Sequence, residues 1–155
     1  ATHPPLFHVG CAGRISQFIE AEGNRYLITL NGLCRFRLVE ELPVSTPFRQ
    51  ALVSYQDFAD DFEARKGEAA VDRSDLLRTL KAYVAAEQLE INWREVHDAP
   101  TEALVNALSM MCPFGVREKQ ALLEAPDLAA RAAILVAMTE IELARRDDGS
   151  ATGLQ

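Results

Sequence analysis

The residues able to do chemistry in this chain are few and scattered. Three histidines, His3, His8 and His97, fall in loop or strand positions without the spacing of metal ligands. His8 and Cys11 are close in sequence, but no third group beside them completes a nucleophile and base, so a structural role is expected. The three cysteines, Cys11, Cys34 and Cys112, are odd in number and form no CxxC pair. That argues for buried, reduced thiols rather than a disulfide framework or a zinc knuckle, and hence for a reducing, cytoplasmic setting. No GxxxxGK[ST] phosphate cradle, GxSxG elbow or HExxH pair occurs. Gly10-Cys11-Ala12-Gly13 matches a KH-type GXXG only in letters, since that loop joins two helices and this one lies in a strand. The expectation is a protein that is not an enzyme and needs no cofactor or metal.

The charged residues are read as surface. Asp60, Asp61 and Glu63 form a solvated acidic run. Arg14, Arg35 and Arg37 could line one sheet face and take a carboxylate or phosphate, or simply be an exposed strand face. Residues 1–56 carry five Arg against four Glu, whereas residues 57–155 carry 11 basic against 19 acidic residues, which together make the net −7. The acidic half repels phosphate backbones, so nucleic acid is an unlikely partner. Phe48, Tyr55, Phe58, Phe62 and Trp93 are aromatic positions of the kind that fill a core. Phe58 and Phe62, however, stand among acids, where an exposed apolar patch would mark a protein partner.

The elements that must position these residues divide the chain in two. At 155 residues, 48% apolar and 25% charged, the chain can bury a core as one domain. Its apolar runs are too short to span a bilayer, and ATHPPLFHVG lacks the pattern of a signal peptide. Residues 6–40 read as a three-stranded antiparallel meander: a bent strand through Gly10 and Gly13, a turn at Glu22-Gly23-Asn24, a strand over Tyr26–Leu30, a hairpin at Asn31-Gly32, and a strand over Leu33–Val39. Phe48–Phe58 adds one more strand. The β part thus covers 6–58, an acidic flexible linker 59–72, and a helical part 73–146.

In the helical part Leu76, Leu77, Leu80, Tyr83 and Val84 share one helical face, with Asp72 or Ser74 as N-cap. A second helix spans Thr101 to Met111 and ends at Cys112-Pro113. The stretch from Phe114 to Arg146 gives a short helix, a break at Ala125-Pro126 and a long helix. Asp127 stabilises the start of that last helix, and Leu128, Ala132, Leu135, Met138 and Ile141 form its inward face. Residues 147–155 read as a disordered tail. The fold class expected is α+β, an antiparallel β half followed by a helical bundle with a long C-terminal helix.

Two stretches carry a resemblance. Val9-Gly10-Cys11-Ala12-Gly13-Arg14-Ile15 and Tyr26 to Arg37 resemble the strand motifs of the Lon protease N-terminal, substrate-binding domain. Glu118-Lys119-Gln120-Ala121-Leu122-Leu123-Glu124 with Asp127 and Arg131 is similar to the "K-Q-x-L-L-E-x-x-D-x-x-x-R" signature of that family. The resemblance covers most of residues 6–145 and implies a PUA-like β half without motif-defined catalytic residues. It implies a domain of the stand-alone bacterial type, lacking the family's first strands and its ATPase and protease machinery.

Its implied function is non-catalytic recognition of unfolded or exposed segments of other proteins. A sheet edge would add a peptide strand, with apolar side chains taking every second residue. Phe7, Val9, Phe48, Tyr55 and Phe58 are the expected contacts, with Arg35 and Arg37 orienting carboxylates of the peptide. Alternatives are RNA or nucleotide binding through Arg14, Arg35, Arg37 and Arg49, and a scaffold that self-associates into a homo-oligomer.

Overall fold

A computed structural model describes residues 4–151, with side chains as far as Arg146. The chain divides into two compact units, Ala1–Ala64 and Arg65–Gln155. Together they form the expected α+β fold: a three-stranded antiparallel sheet followed by helices, the last of them the longest.

The first unit is built on two long strands, β1 (Val9–Ala21) and β2 (Arg25–Leu42), with β3 (Gln50–Ser54) completing the order β1-β2-β3. The turn at residues 22–24 forms as expected, with Gly23 and Asn24 at φ of 77° and 56°, a conformation these two residue types tolerate. The hairpin expected at Asn31-Gly32 does not form. Both residues lie inside β2, paired with Arg14 and Gly13, and the meander is a two-stranded ribbon whose third strand is β3. Glycine is used there for close approach: Ala12 pairs with Cys34 but Gly13 with Gly32, so Leu33 is an extra residue bulged out of β2. A Cβ on Gly32 would stand 3.3 Å from Cys11 Sγ. Gly10 serves a different contact, because the Phe36 ring lies where its Cβ would be.

Beyond Ser54 the expected strand does not continue to Phe58. The chain turns into a 3-10 stretch over Gln56–Phe62, and another 3-10 turn over Glu68–Ala70 follows, after Gly67 at φ 80°.

The second unit holds α1 (Arg73–Ala86), α2 (Trp93–Asp98), α3 (Thr101–Met111), α4 (Val116–Glu124) and α5 (Leu128–Ala151). Asp72 caps α1 by accepting from Asp75 N–H. The short α2 is an addition to the sequence reading: Asn92 accepts the N–H groups of Arg94 and Glu95. Arg73 holds its far end, its guanidinium donating to the carbonyls of Val96, His97 and Ala99. The core joins Leu76, Leu104, Val105, Leu122, Leu128, Ala132, Leu135 and Val136.

The inward seam of α5 differs from the expected one. Leu128, Ala132, Leu135, Val136 and Thr139 are buried, whereas Ile141 is exposed. Thr139 continues the three-and-four spacing, with its hydroxyl satisfied by the Leu135 carbonyl, and Ile141 falls off that stripe. The helix runs through the start of the expected tail at 147, and residues 152–155 lie outside the described ones. No helix among the described residues is long and apolar enough to cross a membrane.

Candidate functional site

The residues singled out in the sequence separate into an interior group and a surface group. Arg35 is buried. Its backbone N–H and its Nε both donate to Asp61 Oδ2 at 2.9 Å, and its Nη2 donates to Asp61 Oδ1 at 2.7 Å. Its guanidinium also lies 4.4 Å from the centre of the Phe58 ring. Phe58 is buried, and its carbonyl accepts from the Cys34 thiol. Val9 is buried as well. Asp61 therefore corrects the reading of a solvated acidic run: it leaves the run to neutralise a buried arginine, since an unpaired charge there would cost several kcal/mol of desolvation. Burial, reinforced by the Asp61 carboxylate, pushes the Cys34 thiol above its ordinary pKa, so it stays protonated. Val9, Arg35 and Phe58 have inward positions and offer no surface to a ligand in this conformation.

Arg37, Phe7, Phe48 and Tyr55 are exposed. Arg37 Nε donates to Asp57 Oδ2 at 2.7 Å, with both side chains half in water, so the pair is easily exchanged. Phe48 precedes β3 and Tyr55 follows it, so the two aromatics stand at opposite ends of an edge strand. Tyr55 packs edge-on against Phe36, ring centres 6.2 Å apart, and lies 6.3 Å from Phe62, which is 67% exposed. Phe62 was marked in the sequence only as an aromatic among acids; here it extends the exposed aromatic row. The arginines weighed for nucleic acid are mostly neutralised: Arg35 by Asp61, Arg37 by Asp57 and Arg49 by Glu41.

Of the three cysteines expected to be buried, Cys34 and Cys112 are, whereas Cys11 is exposed, because its sulfur lies over Gly32, which has no side chain to cover it. Cys112 is buried, and that burial raises its pKa. Among the described residues no three His, Cys, Asp or Glu side chains group as metal ligands would. The signature around α4 and α5 is a joint between helices. Asp127 Oδ1 accepts from Ala130 N–H and caps α5, as expected, while Arg131 donates to the Leu122 carbonyl and to Asn106 Oδ1. Lys119 Nζ donates to the Met110 carbonyl, and Leu122 is 1% exposed. The Lys119 and Arg131 contacts join α3, α4 and α5.

The first unit is thus an antiparallel sheet with exposed aromatics at both ends of its edge strand β3, and the second a helical unit with its own core. The family model of the ATP-dependent protease La (Lon) substrate-binding domain matches residues 1–140, and the chain belongs to that family. It is a substrate-recognition module in the general sense of that family. No curated protein matches the chain.

Proposed function

We propose that the protein is a non-catalytic, PUA-like binding module that recognises unfolded or otherwise exposed segments of other polypeptides. The observation that carries this reading is the edge strand β3, flanked by the exposed aromatics Phe48 and Tyr55. An extended client segment adds beside β3 and satisfies the open backbone groups of the edge; its apolar side chains meet Phe48 at one end and Tyr55 with Phe62 at the other. Folded proteins are rejected because their backbone groups are already paired. Arg37 gives up Asp57 to take a client carboxylate. Its reduced thiols suit work in the cytoplasm.

Fluorescence anisotropy of a labelled, permanently unfolded protein tests this, beside a folded control and an RNA oligomer. The unfolded chain is expected to bind and the folded control not to. Replacing both Phe48 and Tyr55 by Ala should weaken binding by about tenfold or more, as loss of two aromatic anchors does. A double variant that stays folded and binds as before removes β3 as the site, and binding to RNA alone removes the reading itself.

A further inference from the structure

The interior of the helical unit is not uniformly apolar where α1 meets α3 and α5. A cavity of about 10 Å³ lies there, its leucine-rich wall interrupted by Thr79 of α1, Thr139 of α5 and Cys112 at the end of α3. The two threonines are 4% and 5% exposed, and they treat their hydroxyls differently. Thr139 Oγ1 donates to the Leu135 carbonyl of its own helix at 2.8 Å. Thr79 makes no such bond to its own helix, and its Oγ1 is buried without a hydrogen-bond partner. A buried hydroxyl left unpaired costs free energy on the scale of a lost hydrogen bond, so native interiors rarely keep one.

We infer that this cavity is a hydration site, holding one water that joins Thr79 on α1 to Thr139 on α5. Size selects the ligand. A single water needs about 10–15 Å³ of such space, whereas sites for organic molecules run to roughly 300 Å³ and more. Chemistry selects it too, because cavities that stay dry are lined by apolar groups alone.

The donors and acceptors around the cavity balance. The Thr79 hydroxyl gives its proton to the water. The Thr139 proton is committed to Leu135, which leaves the Thr139 oxygen to accept one proton of the water. The Cys112 sulfur, a weaker acceptor, takes the other. Three partners is the usual number for a buried water. The water thereby gives the first and last helices of this unit a polar link beside their shared apolar core.

Magnetic relaxation dispersion of water oxygen-17 on the 155-residue chain tests the inference, because it counts waters held longer than the protein takes to tumble. Thr79→Val keeps the side-chain shape and removes the hydroxyl. The expected amplitude is lower than wild type by about one long-lived water, while Thr79→Ser, which keeps the hydroxyl, retains that water. If Thr79→Val alters the far-UV dichroism, Val136→Ile repeats the comparison by pushing one more methylene into the cavity while leaving Thr79 in place. An amplitude that Thr79→Val leaves unchanged would mean that the hydroxyl turns back on the Asp75 carbonyl, as Thr139 does on Leu135, and overturns the inference. So does a Thr79→Ser chain that loses the water as Thr79→Val does, or a Val136→Ile chain that keeps it.

Discussion

In the helical unit Leu76, Val105, Leu122 and Leu135 are at most 2% exposed, whereas in the β unit the buried apolar side chains among the described residues are Val9, Cys34 and Phe58 alone. The exposed large apolar residues are distributed the other way. All but Leu89, Met110, Met111, Val116 and Ile141 belong to the β unit. The helices spend their apolar surface on one another. The strands keep theirs outward, and the buried centre beside β2 is organised around an ion pair, Arg35 with Asp61, under the Phe58 ring. Among the described residues the β unit thus leaves the larger apolar surface exposed, and the helical unit holds the larger closed core.

The largest effect that could break this comparison is in the helical core. Leu135→Ala removes a side chain that is 2% exposed and should destabilise the helical unit by about 3–5 kcal/mol, seen as a lower denaturant midpoint of the helical signal. A cost under ~1 kcal/mol would show that this core is loosely packed and that the two units are less different than described.

The next effect lies in the β unit and should be polar in origin. Asp61→Ala leaves the buried Arg35 guanidinium without its carboxylate and should cost about 2–3 kcal/mol, less than a fully buried pair because the Asp61 side chain is 21% exposed. The exposed ribbon residue Leu30, changed to Ser, should shift stability by no more than ~0.5 kcal/mol. If Leu30→Ser costs as much as Asp61→Ala, Leu30 is already covered within the chain, and the two units differ less than described.

The same contrast explains what could be read from the sequence. Helical elements were legible because local signals and tertiary packing agree in them: Asp72 and Asp127 cap as their types suggest, Pro126 breaks the chain, and Leu128, Ala132 and Leu135 recur at helical spacing. Only the last turns of the seam drifted, where Thr139 replaces the expected apolar partner by bonding its own helix.

In the β unit local signals were ambiguous. Asn-Gly is equally suited to a tight turn and to a bulge with a close cross-strand approach, and the pairing of Gly13 with Gly32, distant in sequence, decided for the bulge. Arg35 and Asp61 are 26 residues apart, and nothing in the alternation of β2 distinguishes the buried Arg35 from the exposed Arg37 two positions on. Phe48 and Tyr55, whose type suggests a core, are exposed here, as is Phe7, whereas Val9 and Phe58, expected beside them as contacts, are buried.

The smallest effect concerns the polar contacts that hold the helical unit's own start in place. Glu68 Oε1 accepts from the Glu102 N–H at 2.9 Å, one of the amides that the first turn of α3 leaves without a helical partner, and Glu68 Oε2 accepts from Arg65 Nε at 2.8 Å. The Glu102 N–H first, and Arg65 after it, hold the Glu68 carboxyl below the ordinary glutamate pKa. A carboxyl depressed on folding contributes stability that is present above its unfolded pKa, about 4.3, and is lost as pH falls through the lower folded value. Glu68→Gln keeps an oxygen acceptor but cannot titrate. Its denaturant midpoint should therefore lie slightly below wild type at neutral pH, and the gap should close as pH falls below about 4. Arg35 and Asp61 should respond to substitution far more than Glu68 does, because the Arg35 guanidinium is buried whereas Arg65, the partner of Glu68, is largely in water. Curves for wild type and variant that stay parallel from pH 7 to pH 3 would mean that Glu68 does not hold the first turn of α3, and the helical unit would then rest on its apolar core alone.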